Sequence, residues 1–188
     1  MLIGTGCTAL FGWDIHAPGL LSNGFFYSVK PLERTRVALY VDPAAARYVS
    51  HDKGGRTADP QTYDVGEAFL PMLIEAFQAG FEEFIFLEVE PEPAVLRRYA
   101  IPYLAVVRIK DFQNDVSWKG QALSLGTETV VMDTEMKVLG KFESKGSSDS
   151  EKIFSKKGGP QVNLNAAIEN NVTATVQYVQ DSIRTGNW

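Results

Sequence analysis

Only one cysteine, Cys7, and only two histidines, His16 and His51, occur among the 188 residues. A lone cysteine excludes an internal disulfide, and no Cys/His cluster has the spacing of a zinc site. Basic residues are also scarce. The 18 Lys and Arg are outnumbered by 23 Asp and Glu, and the densest basic spot is the pair Lys156 and Lys157. Neutralising phosphates needs clustered cations, so nucleic acid is not an expected partner. No apolar run approaches the ~18 residues of a membrane-spanning helix. The G-x-S-x-G elbow, the P-loop and the H-E-x-x-H motif are missing too. Catalysis needs titratable groups that converge, and the histidines have only nearby carboxylates, Asp14 for His16 and Asp52 for His51. No cofactor is implied, and the chain is not expected to be an enzyme.

What is present is a hydrophobic fraction of 45%, enough in a chain of this length for one domain with a real core. The first nine residues allow three readings. Residues 4–9, Gly-Thr-Gly-Cys-Thr-Ala, fit the G-x-G-x-x-A dinucleotide fingerprint. Three residues are too few for the strand that must precede it, however, and Pro18 and Gly19 break the helix that must follow. The second reading is the end of a lipoprotein signal. Small residues precede Cys7, whose thiol would carry a diacylglycerol, and the segment resembles the bacterial lipobox. Gly4 stands where that pattern usually has an aliphatic residue. The charged and most of the apolar signal regions are lacking, as in a truncated chain or one whose start is placed too late. The third reading is an unmodified thiol at a frayed end. Lipid attachment at Cys7 is the expectation taken forward.

Residues 1–34 then form a lipidated tether and irregular arm, and residues 35–188 a single α/β domain. Trp13, Leu20, Leu21, Phe25 and Phe26 would be costly to leave in water, so they pack on their own domain or form an interface with a neighbouring subunit. Residues 50–63, with His51, Asp52, Gly54, Gly55 and Pro60, read as an exposed polar loop, a place for function. Residues 37–41 form the first clear strand. Asp64 with Glu67 reads as a capping box opening a helix that Gly80 stops, with Pro71 as a complication. Residues 84–89 suggest a central strand, residues 92–99 a short helix, and three further strands a meander. A helical stripe through Leu164, Ile168, Val172, Val176, Val179 and Ile183 closes the chain. The fold expected is a mixed, mostly antiparallel sheet with helices on one face. Glu88, Glu90 and Glu92 at a strand end read as solvated carboxylates. Asn171 with Thr173 matches a glycosylation sequon on the last helix.

A small-residue-Cys start, the strand Val37 to Val41, the helix opening Val65-Gly66-Glu67-Ala68, the meander and the last helix together resemble periplasmic lipoproteins of the TolB amino-terminal-domain fold. That group includes the penicillin-binding-protein activator lipoproteins and the ring-forming lipoprotein of Pel polysaccharide secretion. The resemblance spans roughly residues 35–184 in architecture and carries no individual functional residue across. It implies a lipid-anchored protein on the periplasmic face of the outer membrane. Its partners would be other envelope proteins and copies of itself, in a secretion, flagellar or polysaccharide-export complex. The alternative is a soluble periplasmic enzyme or small-ligand-binding protein that uses the 50–63 loop.

Overall fold

The computed structural model of the chain describes residues 13–53, 60–117, 120–148 and 159–188. Cys7 and the other residues of the first readings lie outside them. In chain order the elements are β1 (Trp13–Ile15), α1 (Asn23–Ser28), β2 (Leu32–Val41), α2 (Pro43–Ala46), β3 (Ser50–Asp52), β4 (Gln61–Tyr63) and α3 (Val65–Gly80). They continue with β5 (Phe81–Leu87), α4 (Pro93–Arg98), β6 (Tyr103–Ser117), β7 (Gly120–Met132), β8 (Val138–Ser147) and α5 (Pro160–Thr185). The main sheet has the order β5-β2-β6-β7-β8, and β1, β4 and β3 make a smaller one. The expected mixed α/β architecture is therefore present.

In the main sheet β2 pairs in parallel with both β5 and β6, while β6, β7 and β8 form the antiparallel meander. The two crossovers run in opposite directions across the sheet. Right-handed connections then place their helices on opposite faces. Helix α3 and, later, α5 cover the face formed by Val37, Leu39, Val107, Leu125 and Val131. Helices were expected on one face of the sheet only, but the short α4 lies across the other, where Leu96 and Ile101 pack with Ala38, Leu104 and Val106. Residues 84–89 were expected to supply a central strand, but β5 lies at the sheet edge. Its apolar residues on both faces have a different cause: Phe84 and Phe86 contact the core on the α3 side, Ile85 and Leu87 the smaller cluster under α4.

Helix α3 continues through Pro71. Pro71 is exposed, so the Glu67 carbonyl that lacks its i+4 donor can be hydrated. The helix ends at Gly80, where a side chain would not fit: a Cβ there would sit 2.6 Å from Val176 Cγ1 of α5. Along α5, Leu164, Ile168, Val172, Val176 and Val179 are fully buried. Each such side chain contributes roughly 1.5–3 kcal/mol on leaving water.

Candidate functional site

The arm is part of the fold. β1 pairs in parallel with β4, with Ile15 opposite Tyr63, and Ile15, Phe25 and Val29 belong to the main core. Between them the chain crosses α3 at Gly19, whose φ of +65° suits a residue without a Cβ; one placed there would meet the Ala68 backbone at 3.3 Å. A row of polar side chains on α5 ties the arm down. The Asn165 amide accepts from Leu20 N at 3.2 Å and donates to Leu20 O at 2.8 Å. Ser22 donates through its amide and its hydroxyl to the Glu169 carboxylate, and the same hydroxyl caps α1 by accepting from Phe25 N. Gln180 donates to Lys30 O at 2.7 Å and to Gly80 O at 2.6 Å. Positions 165, 169 and 180 fall on one stripe of a 3.6-residue helix. Residues 13–31 are thus a strap laid over the helix layer, and β2 begins at Leu32, inside the segment assigned to the arm.

The strap divides the expected interface residues. Phe25 is 2% exposed and lies in the chain's own core, so it has no surface to offer a neighbour. Leu21 is half-buried and packs against that core. Trp13, Leu20 and Phe26 are 57%, 63% and 39% exposed, and Tyr27, which the sequence reading passed over, is 80% exposed. Phe26 is held edge-on to Phe25, with ring centroids 5.3 Å apart. Removing a tie should free the strap locally. Each neutral hydrogen bond is worth about 1 kcal/mol and those to a carboxylate somewhat more. Glu169→Ala should therefore speed amide exchange across residues 20–26 about tenfold, with exchange in β6 and β7 unchanged.

The 50–63 segment was read as an exposed loop, but its two ends are the strands β3 and β4; residues 54–59 lie outside the described residues. Tyr63 is fully buried, and burial pushes its hydroxyl pKa far up. The Gln121 amide nitrogen, with two hydrogens to give, lies within hydrogen-bond reach of the Tyr63 hydroxyl, Gln61 Oε1 at 3.1 Å and Asn114 Oδ1 at 2.7 Å, while Asn114 donates to Asp52 at 2.6 Å. This network joins the small sheet to the β6–β7 hairpin. His51 and Asp52 are adjacent on β3 and so point to opposite faces. The His51 ring is 3.4 Å from the Thr62 hydroxyl, and Asp52 is engaged with Asn114. They are not a dyad.

His16 does meet carboxylates, from a distant part of the chain. Its Nδ1 lies 2.9 Å from Asp64 Oδ2 and 3.1 Å from Glu67 Oε2. The hydrogen bond to Glu67 raises the imidazole pKa above its ordinary value, and the charges of Asp64, Glu67 and Asp14 add to it against partial desolvation. The expected capping box is not formed: Asp64 occupies the N-cap of α3 but makes no side-chain cap bond. A cationic imidazole attracts both carboxylates more strongly than neutral backbone amides do. Among the described residues, His16, Asp64 and Glu67 are the one group of three His, Cys, Asp or Glu side chains whose donor atoms converge, all within 4.8 Å. Glu88, Glu90 and Glu92 are exposed beyond the end of β5. Asn171 is fully buried, its amide donating to Leu125 O and Ser144 O, so the sequon is not presented to solvent.

No protein-family profile matches the chain, and no curated protein sequence matches it. Solved structures do. The chain is similar to the hypothetical protein CT253 of Chlamydia trachomatis, with a TM-score of 0.52 at 8% identity over 80% of this chain and 99% of that one. Weaker likenesses are to the PelC dodecamer of Paraburkholderia phytofirmans, with a TM-score of 0.44 at 11% identity over 79% and 91%. Another is to the lipoprotein GNA1162 of Neisseria meningitidis, with a TM-score of 0.37 at 8% identity over 80% and 99%. The likeness to CT253 shows a shared α/β fold.

Proposed function

We propose that this chain is a lipoprotein of the bacterial cell envelope with a TolB-type fold, anchored through Cys7 at the periplasmic face of the outer membrane. In this reading it is a non-catalytic subunit that assembles with copies of itself and with other envelope proteins in a secretion, flagellar or polysaccharide-export complex. The observation that carries the reading is the strap. Of the nine large hydrophobic side chains described as exposed, Trp13, Leu20, Phe26 and Tyr27 fall within fifteen residues, on a segment bonded to the body along its length. A rigid apolar surface of this kind suits a protein contact. Only five residues separate Cys7 from Trp13, a reach of at most about 22 Å when fully extended. A lipid on Cys7 would hold the strap close to the membrane, where each buried CH₂ contributes about 0.8 kcal/mol to anchoring. The non-catalytic part is supported by His51, whose ring meets the Thr62 hydroxyl while the neighbouring Asp52 is engaged with Asn114.

Intact mass of the protein extracted from its native membrane tests the anchor. The expected species begins at Cys7 and carries acyl mass that Cys7→Ser abolishes, moving the protein to the soluble fraction. An unmodified thiol would sink the envelope reading and favour a soluble binding protein. Assembly is tested separately, by sizing the detergent-solubilised protein with Trp13→Ser and Leu20→Ser together. The pair should lower its apparent mass without changing its Tm by more than a degree or two.

A further inference from the structure

We infer that His16, Asp64 and Glu67 form a binding site for a divalent d-block metal ion of the zinc type, and that the ion fastens the strap to the start of α3. The inference does not depend on the lipid anchor. An imidazole nitrogen and two carboxylate oxygens are a donor set for zinc, and the nitrogen disfavours calcium or magnesium, which take oxygen ligands. Metal-ligand bonds of about 2.0–2.2 Å at tetrahedral angles put donor atoms about 3.3–3.5 Å apart. The imidazole lies 2.9 and 3.1 Å from the two carboxylates, so an ion needs it to part from each by only a few tenths of an ångström, and the two carboxylate oxygens already lie within 4.8 Å of each other. It would then displace the shared proton.

Charge points the same way independently of distance. Asp14 adds a third carboxylate to the field at His16. Among the described residues the ion pairs of Asp64 and Glu67 are with His16 alone, without Lys or Arg. Even with the imidazole protonated, three carboxylates act on a single cationic side chain paired with them among the described residues. The start of α3 supplies part of the balance through its partial positive charge of about half a unit. A divalent ion supplies the rest. His16 and Glu67 are more than half exposed and Asp64 is 27% exposed, so the ion can enter without unfolding and water completes its coordination. The ligands come from either side of the Asp64 N to Ile15 O hydrogen bond that ends the β1–β4 pairing, which is why metal binding would hold the strap.

The chain has two histidines and one cysteine, so the test is tractable. Full-length protein carrying Cys7→Ser and His51→Asn keeps His16 as its only imidazole and has no thiol. Calorimetric titration with Zn²⁺ at neutral pH, with Co²⁺ absorption as a second readout, should give one equivalent bound at micromolar Kd or tighter. His16→Asn and Glu67→Gln in that background should each weaken binding at least tenfold while far-UV circular dichroism stays unchanged. Zinc at a hundred times its Kd should slow amide exchange of residues 13–20 about a hundredfold, since strap opening then requires metal release. Binding that His16→Asn leaves unchanged would overturn the site. Exchange in the strap that saturating zinc does not slow would overturn its fastening role.

Discussion

Gly146→Ala is expected to destabilise the protein by about 3 kcal/mol, and by more if the helix above it cannot retreat. A Cβ at this position of β8 would lie 2.2 Å from Ala167 O, 2.4 Å from Asn171 N and 2.7 Å from Asn171 Cβ. The first two are backbone atoms of α5, so no rotamer change relieves the contact. The helix must lift, and it carries Leu164, Ile168, Val172 and Val176 in the core. In a chain of this size 3 kcal/mol lowers Tm by about 6–12 °C. Urea unfolding should show a lower midpoint at unchanged slope. Gly159→Ala is the control, because among the described residues a Cβ there meets nothing within 4 Å, and its effect should stay within about 1 kcal/mol, the scale of a changed N-cap. Equal midpoints for the two variants would mean that α5 does not sit directly on β8.

Asn171→Leu should cost about as much for a different reason: it keeps the branched shape and removes the hydrogen bonds. The side chain is fully buried. It donates to Leu125 O at 3.0 Å and to Ser144 O at 3.3 Å, and accepts from the Thr127 hydroxyl at 2.9 Å. Thr127, Ser144 and Thr175 continue the chain of bonds between sheet and helix. Each buried group left without a partner costs roughly 1–3 kcal/mol. An effect below about 1 kcal/mol would show that the network contributes little. Asn171 is also the residue that a Cβ on Gly146 would strike, so the two substitutions share a contact and their effects should not add. The double variant should be less destabilised than the sum of the single ones. Additivity would mean that helix seating and polar bonding are independent.

The order strand, helix, strand, short helix, meander, long helix was legible because hydrophobic period reports directly on elements that bury one face. The stripe from Leu164 to Val179 and the alternation of Val37, Leu39 and Val41 are of that kind. β1, β3 and β4 were not legible. Each is three residues long, too short for a period, and each exists through pairing across at least eight intervening residues. The position of β5 was misread because apolar residues on both faces signal coverage on both faces, which here an edge strand receives from α3 and α4. For the candidate site, Trp13, Leu20 and Phe26 could be picked out by size and polarity of context, but nothing local separates Phe25, which is buried, from Phe26, which is not. The polar row Asn165, Glu169 and Gln180 does have helical spacing and could have been found by asking what a polar stripe beside an apolar one was for. Asp64 and Glu67 were assigned to capping, the nearest use for them in sequence. Their bond to His16 spans about fifty residues and is visible only in three dimensions.

The ties that hold the strap also set an order of events. Leu20 is bonded to a residue 145 positions later and Ser22 to one 147 positions later. At a synthesis rate of about 5–20 residues per second, roughly 7–30 s pass between the appearance of the strap and that of its partners on α5. During that interval the strap can meet α3, which follows it in the chain, but lacks its bonds to α5. The strap is therefore secured only once the end of the chain is made, and until then any holding factor that recognises short apolar stretches has access to it.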